Sequence, residues 1–223
     1  MPPTSPQRLV GCLALALSAA ACGPDCSGTP AEQVAAVRAT FDGYRQALSE
    51  VDGTAAVRLV DAGTLAYYGA MREAALHAPA DEVRALGVAD RIFVLTMRHR
   101  MTADELESLD AAGLFAHGVE RQWIGAESVE VNSLGEIRVE DDDATAHGQM
   151  LAYGEPTPLS WTFRCEDGRW RLDLVAALRL ADAQLEEMVR QGGQDPDEVL
   201  LSILETVSGE RPDDAVWEPL AGR

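Results

Sequence analysis

PLSWTFRCEDGRWRLDLVA, residues 158–176, decides the fold of this chain. Leu159, Trp161, Phe163 and Cys165 alternate with Ser160, Thr162, Arg164 and Glu166. After Asp167-Gly168 the order repeats, with Trp170, Leu172, Leu174 and Ala176 set against Arg169, Arg171 and Asp173. Successive side chains of a strand point to opposite faces, so each half has one apolar and one polar side. Asp-Gly between two such runs signals a two-residue hairpin, because both central positions of the matching turn take positive φ. The stretch therefore predicts strands over 158–166 and 169–176, paired antiparallel with one face buried. Arg171 and Asp173, two apart on the polar side, read as an exposed pair of little energetic weight.

Working upstream, short alternating segments at 127–131, 136–140 and 144–153 extend the meander, the last of them leading into a turn at Gly154-Glu155-Pro156. Within 144–153, His147, Gln149, Leu151 and Tyr153 share one parity. Asp141-Asp142-Asp143 lacks the glycine and distal glutamate of a twelve-residue calcium loop and reads as a solvated turn.

The chain before the sheet is helical. Thr29-Pro30-Ala31-Glu32 is a capping box with proline at the first helical position. From there Val34, Val37, Phe41, Tyr44, Leu48 and Val51 recur in steps of three and four, the mark of a long helix with one apolar stripe. Asp52-Gly53-Thr54 breaks it and caps a short second helix carrying Val57 and Val60. A third follows Gly63 with Leu65, Tyr68 and Met71. Pro79 interrupts, Val83 and Leu86 suggest a further turn or two, and Asp90 opens a segment with Ile92, Leu95 and Met97. Thr102-Ala103-Asp104-Glu105 is a second capping box. Downstream of the sheet, helix returns with Leu178, Leu185, Met188 and Val189, stops at Gly192-Gly193 and restarts at Asp195-Pro196.

Helices first and a meander second give an α+β plan, with N-terminal helices packed on a curved antiparallel sheet and additional middle and C-terminal helices. This order, with the phrase FDGYRQALSEVDGTAAVRLV at 41–60, resembles the nuclear-transport-factor-2-like superfamily, a cone-shaped fold that includes ketosteroid isomerases and polyketide cyclases. The resemblance covers about residues 31–60 and the strands from 136 to 176. It implies that Tyr44, on the first helix, corresponds to the tyrosine that donates to a developing oxyanion in the isomerases. No carboxylate matches the base that such chemistry also needs. Tyr44 lies on the apolar stripe, which favours a core tyrosine with its hydroxyl at the edge over an oxyanion donor. With His147, Tyr153 and Trp161 it forms the candidate pocket set, and no catalytic residue is assigned.

The N-terminus carries the address. Arg8 precedes the apolar run Leu9 to Ala21, and Ala19-Ala20-Ala21 leads directly into Cys22. This is an export signal, and it resembles the lipobox of bacterial lipoproteins, in which cleavage exposes a cysteine that receives diacylglycerol. The resemblance makes Cys22 the lipidated first residue, although Ala19 stands where a large aliphatic is usual. The same alanines also satisfy the rule for an ordinary signal peptide. The division is then a signal over 1–21, a lipidated cysteine and flexible tether over 22–30, and one domain over 31–223. Cys26 and Cys165 either pair as a disulfide, which export permits, or leave Cys165 as a buried thiol. No Cys/His spacing suits a metal.

The composition narrows the partners. The 223 residues carry 18 basic and 37 acidic side chains, a formal net charge of −19. Such a surface argues against nucleic acid, which needs clustered positive charge. All 18 basic residues are arginine, which rules out Schiff-base, pyridoxal and P-loop chemistry for want of a lysine. His99, between Arg98 and Arg100, reads as a solvated helix end.

These readings predict an exported cell-envelope lipoprotein, held to the membrane through Cys22, that binds an unknown small apolar ligand or protein partner and needs no cofactor. The alternatives are an isomerase- or cyclase-type enzyme using Tyr44 with an unidentified base, and a homodimer formed through the sheet. A closed pocket placing Tyr44 beside a buried acid or histidine favours the enzyme. A cone filled by Trp161, Phe163 or Trp170 favours the others.

Overall fold

A computed structural model describes residues 26–123, 131–140, 144–192 and 195–222. The chain is mixed α and β, with a four-stranded antiparallel sheet in the order β1-β2-β3-β4: β1 Asn132–Val139, β2 Thr145–Ala152, β3 Glu155–Glu166 and β4 Arg169–Asp173. Both tight hairpins rest on a residue pair with positive φ, Tyr153 (51°) with Gly154 (83°) and Asp167 (51°) with Gly168 (72°). That is the backbone a right-twisted two-residue hairpin demands. The expected turn at 154–156 falls one residue early for this reason: β3 already begins at Glu155. The segment expected at 127–131 and the acidic run at 141–143 lie outside the described residues, apart from Val131.

Register follows the apolar alternation. Phe163 opposes Leu172, Cys165 opposes Trp170, and Ala146 opposes Phe163, so one face collects the apolar side chains. Helix α1, Pro30–Ser49, lies against that face. Its start is the expected box: the Glu32 amide meets the Thr29 hydroxyl, while the Thr29 amide donates to Glu32 at 2.7 Å and holds that carboxyl below its usual range. Val37, Phe41, Tyr44 and Leu48 are buried, and the Phe41 and Trp161 rings meet at 5.2 Å. Polar groups of α1 serve the sheet too. Arg38 donates to the carbonyls of Leu134 and Gly135 at 3.1 and 2.9 Å, and the Thr40 hydroxyl donates to the Trp170 carbonyl at 3.2 Å. Val51 leaves the stripe, because α1 ends at Ser49 and Val51 sits in a turn at φ 57°.

Helix α2, Gly53–Val57, is capped by Asp52. A Cβ on Gly53 would lie 2.7 Å from the Cα of Ala116 and closer still to its carbonyl oxygen, so this turn touches backbone of α7, Ala111–Glu120. Val60, expected on the second helix, makes a parallel bridge to Leu172 of β4. Then come α3 (Ala62–His77), α4 (Ala80–Arg84), α5 (Val88–Arg100) and α6 (Ala103–Glu107). Asp61 caps α3, accepting from the Thr64 amide at 2.7 Å.

The last strand is shorter than the alternation implies. Asp173 accepts from the Ala176 amide at 3.0 Å and so caps α8, Leu174–Gly192, converting Leu174 and Ala176 from strand to helix. Asp173 is also not an exposed partner of Arg171: it is 6% exposed and accepts from Arg164 at 3.0 Å across the hairpin. Helix α9, Pro196–Ser208, and a 3-10 turn at Asp214–Trp217 complete the chain.

Arg98, the neighbour of the His99 read as a solvated helix end, is 3% exposed. It donates to the carbonyls of Ala74, Ala75 and Ala78 at the end of α3 and to Trp217 at 2.6 Å. A helix C-terminus offers unpaired carbonyls and partial negative charge, which compensates a buried guanidinium. The arginine thereby fastens the C-terminal turn to α3 and α5.

Cys26 and Cys165 are bonded to each other, with Cα atoms 5.9 Å apart. The Cys26 amide also donates to the Gly168 carbonyl at 3.1 Å, and Cys26 is buried. Of the stretch read as a flexible tether, Cys26 is thus fixed to the β3–β4 hairpin, and Thr29 and Pro30 already belong to the start of α1. Among the described residues no helix is long and apolar enough to cross a membrane.

Candidate functional site

The four residues singled out from sequence do not meet. Tyr44 is 2% exposed in the core, and burial pushes its hydroxyl well above the ordinary tyrosine range, with no acid or histidine contributing. Trp161 packs on Phe41 on the same inner face. The space between α1 and the sheet is filled by Phe41, Trp161, Phe163 and Trp170, all buried. His147 pairs with Arg138 across the strands, on the opposite face of the sheet. Its Nδ1 lies 3.4 Å from the Thr162 hydroxyl and its Nε2 3.8 Å from Glu140. Tyr153 is 85% exposed at the hairpin tip. Strand parity placed His147 and Tyr153 together; the irregular pairing between Gln149 and Leu151 and the tight turn at Tyr153-Gly154 carry the tip away from the face.

The outward face around His147 holds Glu136, Arg138, Glu140 and Gln149 about a shallow depression of about 380 Å³. Mixed charge on an open strand face is what water solvates well, and a depression of this kind gives an apolar ligand nothing to bury against. Among the described residues no group of three His, Cys, Asp or Glu side chains is placed to hold a metal.

A different cleft lies among the helices. It has a volume of about 330 Å³ and is walled by α3, α5, α7 and α8. Helix α5 supplies most of the wall, because Ala89, Phe93, Thr96 and Arg100 follow one another at three- and four-residue steps and so share one face. The opposite side of α5 carries Val94, Leu95 and Arg98, all buried. A helix apolar on both sides is packed on one side and lines a cavity or an interface on the other.

Each remaining wall has a local cause. Tyr68 from α3 stands edge-on to Phe93, with ring centroids 4.8 Å apart, and to Phe115 at 4.9 Å. Leu114 and Gly118 lie one turn apart on α7. After α7 the chain reverses through Gln122 at φ 58°, and the Trp123 amide donates back to the Gly118 carbonyl at 2.8 Å. That hook brings the Trp123 indole to the cleft, where the His117 ring meets it at 5.2 Å and the Arg100 guanidinium lies 5.5 Å from its centre. Such a distance is within cation–π range.

Leu178 closes the side formed by α8, and a polar clamp sets its position. Asp90 accepts from the Tyr67 hydroxyl at 2.8 Å and from Arg179 at 2.9 Å, and Asp182 accepts from the Ala89 amide at 2.7 Å. Asp90 is 7% exposed. Burial, with the Asp90 hydrogen bond second, pushes the Tyr67 hydroxyl up, and the same carboxylate holds the Arg179 guanidinium charged. Both oxygens of Asp90 are thus occupied, which makes it a fastener of α8 to α5 rather than an acid aimed at the cleft.

Of the lining groups, the Thr96 hydroxyl donates to the Ile92 carbonyl of its own helix at 2.7 Å. Arg100 is the charged lining side chain among the described residues. The arrangement is a largely apolar cleft with a single cationic corner, the general form of a small-molecule site. The sequence contained one signal for it: apolar residues on two faces of 88–100. The walls from Tyr68, Leu114, Trp123 and Leu178 could be joined only by the tertiary fold. No family model, curated protein or solved structure matches this chain.

Proposed function

We propose that this is an exported, lipid-anchored envelope protein whose domain binds a small, largely apolar ligand in the cleft between α3, α5, α7 and α8. The observation that carries the binding role is the cleft itself: about 330 Å³ bounded by Tyr68, Phe93, Met97, Leu114 and Trp123, within the size of pockets that take drug-sized ligands. The export role is carried by the signal and Cys22. A fold of the nuclear-transport-factor-2-like cone type belongs to the same reading, supported by the helix-then-meander order and by α1 lying on the sheet. Its ligand site is then displaced from the cone, whose interior is filled, into the helical part of the domain. A dimer through the sheet draws no support from the outward face, which is charged rather than apolar around His147.

The anchor and the disulfide act together in this reading. With lipid on Cys22 and Cys26 fixed to the hairpin, four chain steps separate the two, a reach of at most about 14 Å. The hairpin end of the acidic domain is held near the membrane despite electrostatic repulsion from anionic headgroups.

The test is titration of the mature protein with an environment-sensitive apolar dye. Binding in the wild type that Ala89→Leu abolishes, with the fold retained by circular dichroism, supports the cleft. Binding unaffected by that substitution refutes it. Mass spectrometry of the mature N-terminus tests cleavage and acylation at Cys22 directly.

A further inference from the structure

We infer that the ligand of the helical cleft is a neutral, largely apolar molecule carrying one acceptor oxygen, a carbonyl or an ether, and that the Tyr68 hydroxyl donates to that oxygen. The inference rests on the cleft being the ligand site and adds its chemical class.

The cleft has a buried end. Tyr68, Met97, Leu114 and Gly118 are buried and form its floor, whereas Phe93, Trp123 and Leu178 are half-buried around its mouth. Tyr68 is 5% exposed, with its ring held edge-on between Phe93 and Phe115. Among the described residues its hydroxyl makes no hydrogen bond, and it is not one of the unpaired polar atoms sealed from water. An unpaired hydroxyl that is not sealed faces open space, and the open space at Tyr68 is the cleft. Burial, with the neighbouring Tyr44 and Tyr67 hydroxyls second, pushes the Tyr68 hydroxyl well above the ordinary tyrosine range. The group therefore keeps its proton and stays a donor.

The other polar groups of the lining are accounted for. The Thr96 hydroxyl spends its proton on the Ile92 carbonyl, and Arg100 is engaged within the protein. The Trp123 indole belongs to a half-buried ring that water reaches.

The ligand's chemistry follows from that floor. A hydrocarbon filling the cleft would strip water from the Tyr68 hydroxyl and leave it unpaired, which is costly for a buried donor. A carboxylate would bring its charge against leucine, thioether and a single phenol, too little to replace its hydration. An alcohol could accept from Tyr68, but its own proton would meet no committed acceptor among the floor side chains. One neutral acceptor oxygen on an apolar body satisfies the floor without these costs. At the roughly 30 Å³ that one water occupies, a volume of about 330 Å³ sets the size at about ten heavy atoms.

The experiment is isothermal titration calorimetry of the mature protein with acetophenone and α-methylstyrene, which share one shape and differ by a carbonyl oxygen against a methylene. Tyr68→Phe is expected to weaken acetophenone about fivefold, as the loss of one neutral hydrogen bond implies, and to leave α-methylstyrene unchanged. The infrared carbonyl stretch of bound acetophenone is expected to lie below its value in hexane for the wild type and to return towards that value in Tyr68→Phe. Melting curves confirm that the variant folds, and the wild-type spectrum tests the hydrogen bond without it. An equal effect of Tyr68→Phe on both probes, or a carbonyl stretch that matches hexane in the wild type, overturns the assignment of Tyr68 and leaves the cleft standing. No binding of either probe by the wild type, or binding that Ala89→Leu does not weaken, overturns the cleft as a ligand site.

Discussion

Removing the disulfide between Cys26 and Cys165 is the most quantitative perturbation this fold offers. The two residues are 139 positions apart, so the bond closes the chain from the start of α1 through β3 into one loop and leaves β4, α8 and α9 outside it. In the chain-entropy account a cross-link of that span removes about 17 cal/mol/K from the unfolded ensemble, about 5 kcal/mol at 25 °C. The native side of the balance adds to this. Without the bond the Cys26 amide loses the covalent support for its 3.1 Å hydrogen bond to Gly168, and a buried residue is free to fray into water. For a domain of this size a loss of 5 kcal/mol lowers the melting temperature by about 10 to 20 °C. The assay is guanidinium denaturation of Cys26→Ser/Cys165→Ser against the parent, both in a background lacking Cys22, with and without reductant. The parent is expected to fall to the level of the double variant only when reductant is present. A loss below about 1 kcal/mol, or a parent indifferent to reductant, refutes the reasoning, because it means the arm opens without affecting the rest.

Four other outcomes are expected. Arg98→Met leaves carbonyls of α3 and Trp217 buried without their donor and costs about 3 kcal/mol by chemical denaturation; a neutral effect shows that the turn at Asp214–Trp217 is held by packing alone. Gly53→Ala drives a methyl into the backbone of Ala116 and is expected to destabilise by about 2 kcal/mol or more, whereas an unchanged midpoint shows that α2 and α7 can part freely. Tyr44, Tyr67 and Tyr68 all bind their protons more tightly folded than unfolded. Their contribution is therefore complete below pH 10.0, the ordinary tyrosine value, and is lost as pH rises above it. Tyr44→Phe should flatten that alkaline decline by about 1.4 kcal/mol per pH unit, and an identical slope in the variant removes Tyr44 from the account. Cys22→Ala is expected to leave the domain folded and release it from membranes, and a variant that fractionates with membranes as tightly as the wild type defeats the anchor.

Local chemistry explains which expectations translated into structure. Capping boxes at Thr29 and Thr102, the Asp52 cap and the Asp167-Gly168 turn each act within four residues, so their residues announce them. Boundaries moved where a competing local bond intervened, as when Asp173 capped α8 and ended the last strand early. The candidate pocket failed for a different reason. Tyr44 and Trp161 were recognisable as apolar-stripe residues, but whether a stripe lines a hole or fills one depends on what packs opposite. Here α1 brings Phe41 onto Trp161 and closes the space.

By itself the sequence determined the helix-then-meander plan, the inward face of the sheet, the absence of lysine chemistry and the acidic character of the chain. Periodicity, capping and composition act over a few residues or over the whole chain, and both scales are visible in one dimension. Only the tertiary structure decided that Arg98 is a buried clamp, that Cys26 reaches Cys165, and that Tyr68, Phe93, Leu114, Trp123 and Leu178 enclose one cleft. Those relations join residues tens of positions apart through helix crossing angles and side-chain volumes, which no local pattern encodes.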